Sequence, residues 1–246
     1  MARNSNKSTR AFPAKKESRR ASDTQEEKLA TRSRSEYGST CKEVEPLNFI
    51  QGEYLEAIKY NDIVFGVGSA GTGKTYVAAG YAAGELFHRR INKIILTRPN
   101  VETGRGLGFL PGTLEEKYAP YLLPFDSIFT KFLGKGFYEY ALKNKDIEPT
   151  PLGFLRGTTF ENCIVLLDEA QNCTQEEMKM ILSRIGKNCK MIISGDTEQS
   201  DIGSDSGLED AISRLEGISG IEVIEFLDED IVRSKMCKQI IMAYRN

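Results

Sequence analysis

The feature that most constrains this chain is a glycine-rich turn between an apolar run and a helix-forming stretch. Residues 64–68 predict a buried strand, and Gly68 to Thr75 match the pattern G-x-x-x-x-G-K-[ST] without a mismatch. Glycines let the backbone approach a ligand, and the N–H groups of the turn and of the following helix then favour an anion. The sequence therefore predicts a phosphate-binding loop (P-loop). An ordinary glycine loop between a strand and a helix is the alternative.

Each residue type in this turn has a physical role toward a nucleoside triphosphate. Lys74 would place a positive charge on the β- and γ-phosphates, and the Thr75 hydroxyl would hold Mg²⁺. Gln51, on a helix predicted over residues 47–60, would read an adenine edge with its paired donor and acceptor; an exposed helix glutamine is the alternative. The candidate ATP-binding residues are Gln51, Gly68, Ser69, Ala70, Gly71, Thr72, Gly73, Lys74, Thr75 and Tyr76.

A pair of acids follows a second apolar run. Cys163 to Leu167 is typical of a buried parallel strand, and Asp168 and Glu169 come directly after it. We predict that Asp168 holds Mg²⁺ together with Thr75. Glu169, on the other side of the pleat, is predicted to accept the proton of the water that attacks the γ-phosphate, or to align that water. Two acids at a strand end are common, but the upstream P-loop favours the catalytic interpretation.

Two further parts of a catalytic site are predicted downstream. Gln199, just beyond a strand predicted over residues 190–194, would sense the γ-phosphate or hold the water, with assistance from Asp196. A positive charge for the transition state is also needed, and an arginine from a neighbouring subunit can supply it. We favour Arg233, on a terminal helix predicted over residues 228–244; a surface salt bridge is the alternative. The candidates are Arg98, Arg105, Arg156, Arg184 and Arg233.

The order of elements predicts the fold class. Predicted strands alternate with helices, which indicates an α/β fold with a mostly parallel sheet and helices on both faces. Residues 114–144 read as three short helices separated by Pro120, Pro124 and the glycines near 134, and form a helical insertion between core strands. A long irregular stretch follows Arg98 and runs to Gly112, beyond the carboxyl end of a strand, where ligands bind in such sheets.

Composition limits the remaining possibilities. Residues 1–43 contain few large apolar residues and predict a disordered basic arm, whereas residues 44–246 form one predicted domain. The first forty residues carry a net charge of +5 and the remainder −7, so a protein coated in nucleic acid is disfavoured. The five cysteines form no C-x-x-C pair, and we expect reduced thiols in a cytoplasmic protein. No membrane span is apparent, and His88, the only histidine, leaves no basis for Ser-His or Cys-His catalysis.

With these residues in place, the chain resembles the PhoH-like family over residues 46–244. The resemblance implies a RecA-like core related to superfamily 1 helicases, ATP hydrolysis with Mg²⁺, RNA as the polymer and hexameric rings. The basic arm and small size suit a phage-encoded member. Three positions depart from the family pattern: Ser69, Thr158 and Ser234. The matching segments are the P-loop, Arg98-Pro99, Val101-Glu102, Leu107 to Gly112, Arg156-Gly157, Asp168 to Asn172, Arg184 to Gly186, Gly195-Asp196, Gln199, Asp201 and Val232-Arg233.

Three functions compete at this point. The first is an ATPase that acts on RNA or single-stranded nucleic acid as a homo-oligomer. The second is an ATP-gated assembly or regulatory module with slow turnover and no motor activity. The third, a small-molecule kinase, fits poorly, because Glu169 beside Asp168 suits water activation and kinases avoid activating water.

Overall fold

A six-stranded sheet organises the part of the chain that the computed structural model describes, residues 40–99 and 114–245. The strands lie side by side in the order β3-β2-β4-β5-β1-β6, and every pairing is parallel. Because β1 and β4 are each paired with β5, one strand separates the two whose carboxyl ends carry the predicted motifs. The strands are β1 Ile63–Gly68, β2 Lys93–Thr97, β3 Ile147–Pro149, β4 Cys163–Leu167, β5 Cys189–Gly195 and β6 Ile221–Phe226.

Helices pack on both faces of the sheet and bury two separate apolar clusters. One cluster includes Tyr54, Val77 and Phe129, and the other includes Met178 and Leu208. This architecture confirms the predicted RecA-like α/β fold. The helices are α1 Phe49–Tyr60, α2 Lys74–Phe87, α3 Leu114–Leu133, α4 Lys135–Lys143, α5 Gln175–Leu182, α6 Gly207–Leu215 and α7 Lys235–Arg245. None of these described helices is both long enough and apolar enough to cross a membrane.

The helical insertion differs from its prediction. We expected three short helices, but α3 continues through Pro120 and Pro124 to Leu133, and only then does Gly134, at φ +76°, turn the chain into α4. Each proline removes one backbone donor from the helix. Burial of the helix face that carries Phe125, Phe129 and Phe132 outweighs that loss, because these rings lie in the core cluster of α1 and α2.

The predicted terminal helix over residues 228–244 is also wrong in its first part. A short 3₁₀ turn over Asp228–Asp230 is followed by a non-helical stretch, residues 231–234, and α7 begins only at Lys235. Tertiary hydrogen bonds use the backbone groups that a helix would need: Val232 N–H donates to Gly71 O at 3.1 Å, and Asp230 O accepts from Asn48 Nδ2 at 3.1 Å. Arg233 therefore lies on an irregular segment rather than on a helix.

Two predicted regions fall mainly outside the described residues. The predicted basic arm, residues 1–43, is described only from residue 40, and the predicted irregular stretch from Arg98 to Gly112, which contains Arg105, is described only to Pro99. The domain boundary at residue 44 therefore stays a prediction. Within the described part, sequence reasoning missed the edge strand β3, which has three residues and ends in Pro149. Such a strand has no periodicity to detect, and proline is tolerated at a sheet edge.

Two glycines one turn apart in α2 test how α3 is held. An added methyl group at Gly80 would lie 2.5 Å from Val44 Cγ2 and 2.7 Å from the Phe132 ring, whereas at Gly84 no atom of the described residues lies within 4 Å. We expect Gly84→Ala to stabilise the protein by about 0.5–1 kcal/mol through helix propensity. We expect Gly80→Ala to destabilise it by about 1–3 kcal/mol through overpacking. Urea unfolding of both variants makes the measurement, and equal stabilities would contradict the packing of α3 on α2.

Candidate functional site

The turn between β1 and α2 is shaped by close neighbours as well as by its own glycines. Gly68 has φ +125°, and a Cβ atom there would lie 1.9 Å from the Phe226 carbonyl oxygen on β6. Gly71 has φ +86°, and its Cβ position would lie 2.9 Å from Arg233 Cδ. No other residue type fits these backbone conformations and close approaches without rearrangement. The turn leads into α2 at Lys74, so the N–H groups at the helix N-terminus face the same region as those of the turn.

The Lys74 ammonium is held inside this turn. Its Nζ donates to Gly68 O at 2.5 Å, to Ser69 O at 2.8 Å and to Thr72 Oγ1 at 3.3 Å. Burial lowers the pKa of Lys74, and the nearby carboxylates, first among them Asp196, oppose that shift. A buried cation bound only to neutral oxygens favours the arrival of an anion, which would take the place of the carbonyl groups.

Thr75 and Asp168 meet across the intervening strand. The Thr75 hydroxyl donates to Asp168 Oδ1 at 3.0 Å, although the two residues are 93 positions apart in the chain. Asp168 follows the end of β4, where its N–H donates to Thr97 O at 3.1 Å. Burial raises the pKa of Asp168 most, followed by the Glu169 carboxylate, while Arg98, the Thr75 hydroxyl and Lys74 lower it. A hydroxyl and a carboxylate at this separation are hard oxygen ligands of the kind Mg²⁺ takes alongside phosphate oxygens.

Glu169 enters the same cleft through a strained backbone. We expected it on the opposite side of the pleat from Asp168, but Glu169 lies beyond the end of β4 at φ +54° and ψ +40°, and both acids line one cleft. Its Oε1 is paired with Arg98 Nη2 at 2.5 Å, and its Oε2 accepts from Gln171 Nε2 at 2.6 Å. The left-handed conformation of a non-glycine residue costs about 1–3 kcal/mol, and of the five such residues in the described part of the chain only Glu169 lines the cleft.

The segment after β5 borders the cleft on another side. Asp196 is buried and its N–H donates to Gln171 Oε1 at 3.0 Å, while Gln199 ends a 3₁₀ turn and is exposed to the cleft. Gln171 therefore ties the segment after β4 to the segment after β5. Gln171 was singled out only as part of the family resemblance; the sequence gives no local signal of its bridging contacts.

Arg233 lies against its own P-loop. Val232 N–H donates to Gly71 O at 3.1 Å, and the Arg233 side chain crosses Gly71 and lines the cleft. Arg233 is thus beside the P-loop of its own chain, and its expected role toward a neighbouring subunit stays a prediction. Arg98 also lines the cleft, Arg156 and Arg184 are not among the residues that line it, and Arg105 lies outside the described residues.

Gln51 is engaged differently from its prediction. Its side chain is fully buried, Oε1 accepts from Leu47 N–H at 2.9 Å, and Nε2 donates to Thr72 O at 2.8 Å. The amide therefore fastens the P-loop to the start of α1. The reading of adenine by Gln51 stays a prediction, and any such contact would have to share these two bonds.

The cleft that these residues enclose has a volume of about 600 Å³. Gly68 and Ser69 instead line a second cavity, of about 360 Å³, and the Ser69 hydroxyl bonds there to Asp228. Thr72 is buried and donates to Ser69 O at 2.9 Å. The predicted residues that line the cleft are Gln51, Ala70, Gly71, Gly73, Lys74, Thr75, Tyr76, Asp168, Glu169, Asp196, Gln199 and Arg233.

Sequence reasoning missed a lysine from the insertion. Lys131, on α3, bonds to the Tyr76 hydroxyl at 2.5 Å, with its ammonium 4.5 Å from the centre of that ring, and both residues line the cleft. The two are 55 positions apart, and only the packing of α3 on α2 brings them together. A cation and an aromatic ring on one wall can contact the nucleoside part of a ligand.

Removal of the Asp168 charge provides a test of this geometry. Burial raises the pKa of Asp168, so the folded protein keeps this proton to a higher pH than the unfolded chain does. The ionised carboxylate therefore destabilises the fold above its folded-state pKa, and this penalty disappears below about pH 4. At neutral pH we expect Asp168→Asn to raise the stability by about 1–3 kcal/mol, or roughly 2–4 °C for each kcal/mol.

Thermal unfolding without nucleotide, followed from neutral pH down to about pH 4, makes the measurement. Asp205→Asn is the matched control, because Asp205 is exposed and lies outside the residues that line the cleft. A stability gain for Asp168→Asn that does not shrink on acidification would contradict the assignment of a buried, charged carboxylate.

Comparisons with known proteins give a consistent match. The family model described as PhoH-like protein matches residues 43–245. The PhoH-like protein of Bacillus subtilis (strain 168) is 49% identical over 196 residues, which cover 79% of this chain and 61% of that protein. Protein PhoH of Escherichia coli (strain K12) is 42% identical over 201 residues, which cover 80% of this chain and 57% of that protein. The chain thus spans about three fifths of the length of these relatives.

Among solved structures, the SWI2/SNF2 ATPase core of Sulfolobus solfataricus in complex with dsDNA is similar over 82% of this chain and 44% of its own, with 14% identity and a TM-score of 0.39. A likeness at this level adds nothing to the description of the site.

Proposed function

This chain belongs to the PhoH-like protein family and is a P-loop NTPase, and from that premise we propose that it binds and hydrolyses ATP and acts on RNA or single-stranded nucleic acid as an oligomer. The observation that carries the proposal is the 3.0 Å contact between the Thr75 hydroxyl and Asp168, in one cleft with the Lys74 ammonium. These three groups are the ones that a metal-bound triphosphate requires.

The binding step follows from the charges in the cleft. Phosphate oxygens would replace the carbonyl groups that now surround Lys74 Nζ, and the N–H groups of the turn would contact them. Thr75 and Asp168 would hold Mg²⁺, which when bound supplies positive charge next to the β- and γ-phosphates. Tyr76 and Lys131, which line the cleft together, would contact the nucleoside part.

The hydrolytic step needs a base, an aligned water and a countercharge. Glu169 takes the proton of the attacking water while the water oxygen bonds to the γ-phosphorus; the bond to the bridging oxygen breaks, and ADP leaves with that electron pair. Gln199 would align the water, and Arg233, beside Gly71 in the same chain, would stabilise the charge that develops on the phosphates.

The proposal also includes a nucleic-acid substrate and an oligomeric assembly. A single RecA-like core cannot both bind a strand and translocate along it, so movement along RNA or single-stranded nucleic acid needs neighbouring subunits. We expect a homo-oligomer, a hexameric ring, working in the cytoplasm. The family resemblance supports this expectation, and stimulation of ATP hydrolysis by RNA is its assay.

A second candidate, an ATP-gated assembly module with slow turnover, is favoured by one observation. The segment that contacts Gly71 through Val232 continues directly into α7, whose Met236 and Ile240 are 65% and 51% exposed. A ligand that moves the P-loop would therefore move this apolar surface, and nucleotide could control subunit contacts through it.

Two substitutions separate binding from hydrolysis. We expect Lys74→Ala to lose ATP affinity, because it removes the buried cation of the turn, and Glu169→Gln to keep ATP binding but lose turnover about 10²- to 10⁴-fold, because an amide accepts no proton. Calorimetric titration with ATP and a phosphate-release assay, each with and without RNA, make the measurements. Glu85→Gln is the control, since Glu85 also pairs with an arginine but lies outside the cleft residues. Full turnover in Glu169→Gln would remove Glu169 from the mechanism.

The two candidate functions differ in what nucleotide does to particle mass. In the assembly module, ATP should increase the mass measured by light scattering, and Met236→Glu should prevent the increase by placing a charge on the exposed face of α7. Phe154→Glu is the matched control, because Phe154 is also 65% exposed but follows β3 at the opposite edge of the sheet. A mass that does not respond to ATP, together with RNA-stimulated turnover, favours the nucleic-acid motor.

A further inference from the structure

Each carboxylate oxygen of Glu169, the proposed catalytic base, already bonds to a neighbouring side chain. Glu169 Oε1 is paired with Arg98 Nη2 at 2.5 Å, and Oε2 accepts from Gln171 Nε2 at 2.6 Å. A carboxylate whose two oxygens both accept short bonds from neighbouring side chains is directed toward those partners. In this arrangement, Glu169 is therefore poorly placed to accept a proton from water.

The two side chains that bond to Glu169 differ in burial. Gln171 is 2% exposed, its Oε1 accepts from Asp196 N–H at 3.0 Å, and its carbonyl oxygen accepts from Ser200 Oγ at 3.1 Å. Arg98 is 25% exposed, lies just beyond the end of β2, and has a long side chain that can change rotamer. Gln171 is thus constrained by burial and by further hydrogen bonds, whereas the partly exposed Arg98 side chain borders the cleft and can turn toward a ligand there.

A γ-phosphate bound in the same cleft would compete with Glu169 for Arg98. Arg98 lines the cleft together with Lys74, Thr75 and Asp168, where the proposed function places the terminal phosphate. A γ-phosphate carries more negative charge than one carboxylate, and its oxygens match the planar donors of a guanidinium. ADP has no group at that position.

We propose that Arg98 exchanges partners during each ATP cycle, releasing Glu169 when it binds the γ-phosphate and pairing with it again when only ADP remains. This inference rests on the proposed function. Arg98 is then a positioning residue for Glu169, because it keeps that carboxylate from accepting a proton until a triphosphate is bound. Gln171 keeps the released carboxylate within the cleft.

Two complexes of the full chain test the exchange directly. In crystals with Mg²⁺ and ADP, we expect the Arg98–Glu169 pair as it is here. With Mg²⁺ and the β,γ-imido analogue of ATP, we expect an Arg98 nitrogen about 3 Å from a γ-phosphate oxygen and no longer bonded to Glu169. The proposal is overturned if Arg98 stays on Glu169 in both complexes, or is separated from it in both.

Affinities supply a second measurement in solution. We expect Arg98→Met to weaken the imido analogue about tenfold and to change ADP affinity less than twofold, because only the triphosphate contacts Arg98. Arg98→Lys, which keeps the charge, should recover part of the loss. Arg90→Met is the matched control, since Arg90 pairs with Glu85 at 2.7 Å outside the cleft, and it should change neither affinity.

Equal weakening of ADP and of the analogue in Arg98→Met, in a protein whose thermal midpoint is unchanged, would contradict the exchange. The proposed function fails in a different way, because a wild-type chain that binds neither nucleotide refutes it whatever Arg98 does.

Discussion

The contact between Thr75 and Asp168 depends on the order of the strands. The two residues follow strands that are not neighbours, and β5 lies between them. Because β1, β5 and β4 are parallel and in register, their carboxyl ends reach one edge together, and a hydroxyl from the start of α2 meets a carboxylate from the end of β4 at 3.0 Å. The proposed metal ligands, the proposed base and the residues after β5 all rely on this alignment.

The site stores unfavourable energy that the rest of the fold must offset. Lys74 and Asp168 are buried charges, and Glu169 holds a left-handed backbone. Each destabilises the fold by on the order of 1–3 kcal/mol. The two apolar clusters, one on each sheet face, offset this cost because they fix the surrounding elements. The same groups that cost folding free energy would favour a metal-bound anion in the cleft, so stability and the proposed function oppose each other here.

Local patterns predicted the parts of the site that local chemistry determines. Residue types alone indicate the conformation of three short segments: the P-loop, β4 and the acids that follow it. The structure brings residues of the P-loop and these acids into one cleft. The contacts that were missed join distant segments: Lys131 with Tyr76, Gln171 with Asp196, and Val232 with Gly71. Such contacts depend on how helices pack and where backbone groups find partners, and no single stretch of sequence encodes that. The same reason explains the continuity of α3 through two prolines and the late start of α7.

The strand β3 has a consequence for how copies of this chain can meet. It has three residues, it closes one side of the sheet, and it ends in Pro149, which has no N–H to offer a further strand. Lys93 and Glu148 form a salt bridge across the β2–β3 pair and place charges at that border. Short, charged and proline-terminated edges resist strand addition, so this border is protected against runaway pairing between molecules. We therefore do not expect an assembly of these chains to form by strand addition at the β3 border; the six-residue strand β6 forms the other border of the sheet.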